Sequence, residues 1–273
     1  MRFVRWGEAG AENPGVLDAS GTIRDLSGIV TDIDGAMLAN IPAFDIDALP
    51  EVPHQTRLGP CIARPGKLVC VGLNYADHAA EGGWDVPTEP VLFMKATTAI
   101  SGPTDPVILP PGSQRTDWEV ELGIIIGRAA KHTSDGAAHI AGYCVVNDIS
   151  ERAYQQEMGG QWTKGKSCDT FAPIGPWMVT ADEITDPTGR GIWLDVDGDR
   201  MQDGNTDTMI FKPAFLVEYI SRFMTLEPGD LITTGTPPGV GMGKSPQVFL
   251  RDGQEMRLGI DGLGEQILPV RAS

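Results

Sequence analysis

The sequence predicts an α+β fold that is mainly β. Three observations predict it. The 273 residues include 34 glycines and 21 prolines, which punctuate the chain with turns. Short apolar or alternating runs recur between those turns at strand length. Over the last hundred residues, strand and hairpin patterns are broken by one clear helix, about Pro213 to Phe223. Hydrophobic and charged contents of 41% and 21% are those of an ordinary globular protein able to bury a large core.

Lys and Arg number 21 against 37 Asp and Glu, a formal charge of −16. That balance argues against nucleic acid or an anionic membrane as a partner, because phosphate binding needs a basic footprint. An anionic substrate would have to be met by a local cation. No run approaches the ~18 apolar residues of a membrane span. The start Met1-Arg2-Phe3-Val4-Arg5-Trp6 reads as a strand without a signal-peptide core. Cys61, Cys70, Cys144 and Cys168 form no C-x-x-C pair, so free thiols in a cytoplasmic protein are expected, with Cys70 and Cys144 as core filler.

Two domains are expected: a small β-rich N-terminal unit, residues 1–60, and a larger unit, residues 61–273. In the first, Phe3–Trp6, Pro14–Asp18 and Thr22–Leu26 read as short strands, and Phe44–Leu49 as a short helix or turn. Pro50, Pro53, Pro60 and Pro65 punctuate the connector. Lys67–Leu73 then reads as a buried strand, and Asn74–Gly83 as a helix capped by Asn74 or Asp77 and stopped by two glycines. Val91–Lys95 and His139–Asp148 read as strands. Ile149–Met158 reads as a helix opened by Asp148 or Ser150.

The chemistry centres on Asp117-Trp118-Glu119-Val120-Glu121-Leu122. As a strand it places Asp117, Glu119 and Glu121 on one face, successive carboxylates lying roughly 6.6–7 Å apart. Such a face is either solvated or, in a poorly solvated site, relieved of its repulsion by a hard divalent ion. Asp148, where a buried strand stops, is either a helix cap or a third ligand. His78 and Glu81 share a helix face at i,i+3, as a surface hydrogen bond or as a general base whose imidazole is oriented by a carboxylate. Lys164 and Lys166 lie in a polar stretch, as solvated lysines or as holders of an anion or oxyanion. Pro238–Ser245 mimics a phosphate loop but lacks the leading glycine and the following helix. The Thr233–Pro237 turn offers hydroxyls and N–H groups that could hold a carboxylate. His54, His132 and His139 show no metal spacing.

Seven blocks occur in order: Gly72-Leu73-Asn74-Tyr75-x-x-His78, Phe93-Met94-Lys95, Asp117–Leu122, Gly142–Arg152, Lys166–Phe171, Pro228-Gly229-Asp230, and Thr234-Gly235-Thr236-Pro237-x-Gly239-Val240-Gly241. In this the chain resembles the fumarylacetoacetate hydrolase superfamily over about residues 65–270, and within it the short bacterial, acylpyruvase-like branch. The resemblance implies a mixed β-sandwich roll in a homodimer. It implies Mg²⁺ or Mn²⁺ held by Glu119, Glu121 and Asp148, with Asp117 supporting the strand's start behind them. It assigns His78 and Glu81 to water activation on a lid, Lys166 to oxyanion stabilisation, Arg152, Gln155 and Thr236 to substrate contact, and Lys95 to a supporting place. Substrates of the family are 2-oxo and 2,4-dioxo acids. The implied reaction is hydrolysis of a C–C bond in an acylpyruvate or a 2,4-diketo-3-deoxy sugar acid, releasing pyruvate. Alternatives are oxaloacetate decarboxylation, 2-hydroxyhepta-2,4-diene-1,7-dioate isomerisation and ureidoglycolate cleavage on the same site. A non-catalytic binding protein is the alternative outside enzymes.

Overall fold

Apolar runs between turns become the inner strands of a ten-stranded sheet in the computed structural model, which describes residues 1–273. From one edge the order is Ile23–Asp25, Asn13–Leu17, Arg2–Trp6, Ala172–Thr180, Ile140–Asn147, Val120–Ile126, Leu231–Thr233, Leu68–Gly72 and Val91–Lys95, with Ile100–Ser101 pairing off the path to Ala172–Thr180. Val120–Ile126 is buried at every position, as a strand covered on both faces must be. The strands of the first sixty residues extend this same sheet, because Arg2–Trp6 pairs antiparallel with Ala172–Thr180. A second, five-stranded sheet runs Asp199–Asn205, Gly191–Val196, Glu255–Ile260, Gly264–Ala272, Val107–Leu109. The fold is therefore mainly β, as expected, with two short helices, Gly35–Ala39 and Thr163–Lys166, that the sequence reading passed over.

Two buried glutamines of the second sheet satisfy backbone groups of the first. Gln266 Nε2 donates to Val145 O at 2.9 Å, and Gln202 Oε1 accepts from Val120 N at 3.0 Å. Buried peptide groups left unpaired would cost on the order of 1–3 kcal/mol each, so these bridges fix how the layers sit.

The acidic stretch does not run as one strand. Thr116–Asp117 pairs with Ser150–Glu151 in a separate ribbon, and the large sheet takes up the chain again only at Val120. Side chains explain the break. Asp117 Oδ1 accepts from Trp118 N, and Asn147 Oδ1 accepts from Glu119 N, at 2.9 and 3.1 Å, so neither N–H needs a ladder partner. The same ribbon shortens the expected Ile149–Met158 helix to Arg152–Gln156, capped by Glu151 rather than Asp148 or Ser150. The next correction lies at Ala76–Glu81. Neither Asn74 nor Asp77 caps this helix, because the Asn74 amide holds Phe211 N, Phe211 O and Thr234 O instead. The Lys164–Lys166 stretch is a short helix, Thr163–Lys166.

Strand Leu231–Thr233 pairs parallel with Leu68–Gly72 and antiparallel with Val120–Ile126. Asp230 sets its start: the buried carboxylate accepts from Lys67 N at 2.8 Å and Glu227 N at 2.7 Å, and pairs with Lys67 Nζ at 2.7 Å. Asp230→Ala leaves both N–H groups without their partner and is expected to lower the unfolding free energy by about 2–4 kcal/mol. Urea denaturation measures this, and a loss below about 0.5 kcal/mol, the scale of a neutral surface change, would deny the carboxylate that role.

Candidate active site

Glu119, Glu121 and Asp148 converge where the central strands end, each offering an oxygen within 4.8 Å of the others. Val120–Ile126 carries Glu121 and follows Glu119 directly, while Asp148 follows the adjacent strand Ile140–Asn147. A bond from Asp148 N to Glu119 O, 2.8 Å, ties the two strand ends together.

Three cations are built into the cluster. Lys166 Nζ lies 2.7 Å from both Glu119 Oε2 and Asp148 Oδ2. Lys95 Nζ lies 2.6 Å from Asp148 Oδ1. Arg152 Nη1 reaches Glu119 Oε1 at 2.7 Å, and its Nε donates to Asp117 Oδ2 at 2.8 Å. Burial pushes the Glu119 carboxyl up, but Lys166 and Arg152 outweigh it and hold the group at about 2. Burial likewise opposes the Lys166 ammonium, yet Asp148 and Glu119 push it up to about 12. Lys166 is therefore a fixed cation and an unsuitable base.

Glu121 differs. It makes no ion pair, and its one hydrogen bond is from Gly235 N at 2.8 Å, to Oε2. The turn expected to hold a carboxylate thus holds one of the protein's own. Gly235 has φ +90°, and a Cβ there would approach Asn74 Cβ to 2.8 Å, so the turn requires glycine. Burial, then the charges of Asp148 and Glu119, push the Glu121 carboxyl well above the usual range. A divalent ion fits this donor set: three carboxylates, all hard oxygen donors, one of them lacking any cationic partner.

His78 lines the same cleft, near Trp84, whose ring centroid lies 6.3 Å away. Its Nδ1 is 3.3 Å from Glu81 Oε2, and the Glu81 carboxylate accepts from Gly239 N at 3.0 and 3.1 Å. The pair expected from i,i+3 spacing is thus oriented by backbone and leaves Nε2 free. Arg152 and Gln155 line the cleft and bond to each other, Arg152 Nη1 to Gln155 Oε1 at 3.1 Å. Thr236 lines it too, but its hydroxyl bridges Gln202 Nε2 and Val120 O at 2.7 and 2.9 Å. Asp117 points away from the other acids. It accepts from Arg152 and from Gly241 N and Met242 N, at 2.7 and 2.9 Å. Lys164 turns outward to Met158 O at 2.7 Å.

Residues 67–271 match the model of the fumarylacetoacetate (FAA) hydrolase C-terminal domain. The chain belongs to the fumarylacetoacetate hydrolase family. A Burkholderia ambifaria protein named as a proposed hydrolase is 56% identical over 99% of both chains. Among solved structures, a fumarylacetoacetate hydrolase from the psychrophile Exiguobacterium antarcticum is 35% identical with a TM-score of 0.91, covering 100% of both chains. A 2-hydroxyhepta-2,4-diene-1,7-dioate isomerase from Mycobacterium marinum is 33% identical with a TM-score of 0.80, covering 100% of this chain and 99% of its own. A maleylpyruvate hydrolase from Sphingobium sp. SYK-6 is 28% identical with a TM-score of 0.83, covering 100% of both. As a member of this family the chain is an enzyme, and no helix in it is long and apolar enough to cross a membrane.

Sequence reading missed three features of this family site. Asn74, read as a helix cap, instead ties the turn after Leu68–Gly72 to Phe211 and Thr234. Phe93 lies under the Lys166 ammonium, 5.1 Å from Nζ, and Trp162 packs on Phe93. Phe93 stands in one of the seven blocks, but no local pattern gives either aromatic a place beside Lys166, since each meets the site only through folding.

If the cluster binds a cation, Mn²⁺ is expected to raise the melting temperature of the wild-type chain, and Glu121→Gln is expected to abolish that rise. Differential scanning fluorimetry with and without Mn²⁺ reads both, and equal rises in the two proteins would remove Glu121 from the site.

Proposed function

We propose that the chain hydrolyses the C3–C4 bond of a 2,4-dioxo acid, giving pyruvate and a carboxylic acid. The observation that carries this reading is a backbone-anchored His–Glu pair facing a three-carboxylate cluster and a fixed lysine across one cleft. The composition suits it, for a chain of charge −16 can hold an anionic acid only where positive charge is concentrated. Mg²⁺ or Mn²⁺ held by Glu119, Glu121 and Asp148 would supply Lewis-acid charge for the substrate's carboxylate and 2-oxo oxygens.

The residues of the chain divide the remaining work. His78 Nε2 takes a proton from water, and Glu81 stabilises the imidazolium through Nδ1. The water oxygen adds to C4, and the C3–C4 bond breaks with its electron pair delocalised onto the 2-oxo oxygen. Lys166 Nζ, which stays protonated, stabilises that negative charge. Protonation at C3 gives pyruvate. Arg152 and Gln155 orient the 1-carboxylate end, Thr236 lines the wall beside it, and Lys95 keeps Asp148 in place. The maleylpyruvate hydrolase neighbour supports hydrolysis.

A second reading rests on the Mycobacterium marinum isomerase neighbour. There the same base would move a proton within a 2-hydroxydienedioate, with no attacking water. Reaction in ¹⁸O-labelled water separates the two: hydrolysis puts one label into the released acid, isomerisation puts none into the product by bond cleavage. With a panel of 2,4-dioxo acids and Mg²⁺ or Mn²⁺, His78→Ala is expected to lower kcat by about 10²–10⁴-fold. Glu81→Gln is expected to lower it less, through imidazolium stabilisation alone. Full activity of His78→Ala on a metal-dependent cleavage would overturn the mechanism.

A further inference from the structure

One glycine of the stretch Pro238–Ser245 has no explanation in its own backbone. Gly239 lies at φ +108°, and a Cβ on Gly241 would overlap Val248 O, so the chain itself disfavours a side chain at either place. Gly243 is different. It ends the 3₁₀ turn Gly241–Gly243 without a positive φ, in a conformation that alanine adopts as readily. The three atoms nearest to a Cβ placed there all belong to one side chain: Cδ, Cγ and Oε1 of Glu81, each within 2.6 Å. Glu81 fills the space that a side chain at 243 would need.

The same stretch spends its N–H groups on carboxylates. Gly239 N donates to both oxygens of Glu81, and Gly241 N and Met242 N donate to Asp117. A glycine-rich loop of the kind that elsewhere cradles an outside anion thus holds two anions of the protein itself. Asp117 is fully buried and paired with Arg152, so its end of the loop is fixed. Glu81 stands at the end of a six-residue helix, Ala76–Glu81, that has no side-chain cap. Its carboxylate has Gly239 N and His78 Nδ1 as its only partners in the chain. Where that carboxylate rests therefore decides how the imidazole is turned.

We infer that Gly243 is a positioning residue of the His78–Glu81 pair: the space left by its missing side chain is the seat of the Glu81 carboxylate, which from there holds Nδ1 of His78. The inference rests on the reading in which His78 is the general base. It separates stability from activity. A methyl group at 243 meets only the far end of a flexible side chain, which is 18% exposed and can turn outward to water. The fold then loses little, while His78 loses the group that orients it.

Four proteins test it: wild type, Gly243→Ala, Glu81→Ala and the double variant, each with a 2,4-dioxo acid and Mn²⁺. Gly243→Ala is expected to lower kcat by about 10–100-fold, with KM little changed. Its melting temperature is expected to fall by no more than about 4 °C. In the Glu81→Ala background the seat is empty, so adding Gly243→Ala is expected to cost no further activity, a fully non-additive cycle. Wild-type kcat in Gly243→Ala, or additive losses in the double variant, would overturn the inference. Should Gly243→Ala melt far lower, the double variant decides: recovery of its melting temperature supports the seat, and a loss that persists without Glu81 overturns it. Failure of the base reading looks different, since then no 2,4-dioxo acid is cleaved by any of the four. Amide hydrogen exchange across Gly239 still decides the seat in that event. Protection there is expected to fall alike in Gly243→Ala and Glu81→Ala, and unchanged exchange in Gly243→Ala overturns the inference.

Discussion

Buried charge is the constraint on which the rest of this structure depends. Asp117, Glu119, Glu121 and Asp148 are four buried carboxylates, and Arg152, Lys166 and Lys95 are the three buried cations among them. Each isolated ion would cost several kcal/mol in so dry a place, and pairing recovers that only with good geometry. Every carboxylate but Glu121 has a cation at 2.6–2.8 Å. Four against three leaves one negative charge in excess, and it falls on the one acid held by a lone peptide N–H. A bound dication would turn the excess of one negative charge into one positive, and the site would then attract the anions that the chain as a whole repels.

The same network joins the two walls of the cleft. Asp117 anchors Gly241 and Met242 from the cluster's side, and Gly239 in the same loop holds Glu81 on the helix of His78. Glycine is needed where the loop passes closest, since a Cβ on Gly241 would come within 1.8 Å of Val248 O. His78 is thus positioned by a loop that is itself positioned by Asp117, the acid next to the Glu119 and Glu121 cluster. Trp118 adds a bond to that loop through Nε1 and Gly239 O, at 3.1 Å.

Much of this was legible in the sequence, and what was not shares one cause. Strand Val91–Lys95 matched its apolar pattern, and the His78–Glu81 contact follows from helical spacing. The carboxylate alternation placed Glu119 and Glu121 together but overstated Asp117, because period two assumes an unbroken strand. The strand breaks at Trp118 and Glu119, where Asp117 and Asn147 side chains take over the backbone's hydrogen bonds. Asn74 looked like a helix cap because local rules favour Asn before a helix. Its actual partners, Phe211 and Thr234, lie 137 and 160 residues away. Glu81 and Gly243 meet only because the sheets fold the chain back on itself. Local pattern carries no trace of such a meeting.

That difference in legibility tracks a division of labour in the cleft. The cluster is tightly specified: each acid is fixed by a backbone N–H or by buried cations, and on the proposed reading it faces the end of the substrate that 2-oxo acids have in common. The outer wall, with Trp84, Gln156 and Gln247 all exposed, is built of side chains that few bonds constrain. Exchange of residues there costs the fold little, because surface substitutions away from buried pairs change stability by about 0.5 kcal/mol or less. A scaffold arranged in this way can keep one buried charge network while its outer wall and the placement of water decide which acid enters and which bond breaks. Solved relatives named as hydrolases and as an isomerase share the fold at TM-scores of 0.80–0.91, as that arrangement permits.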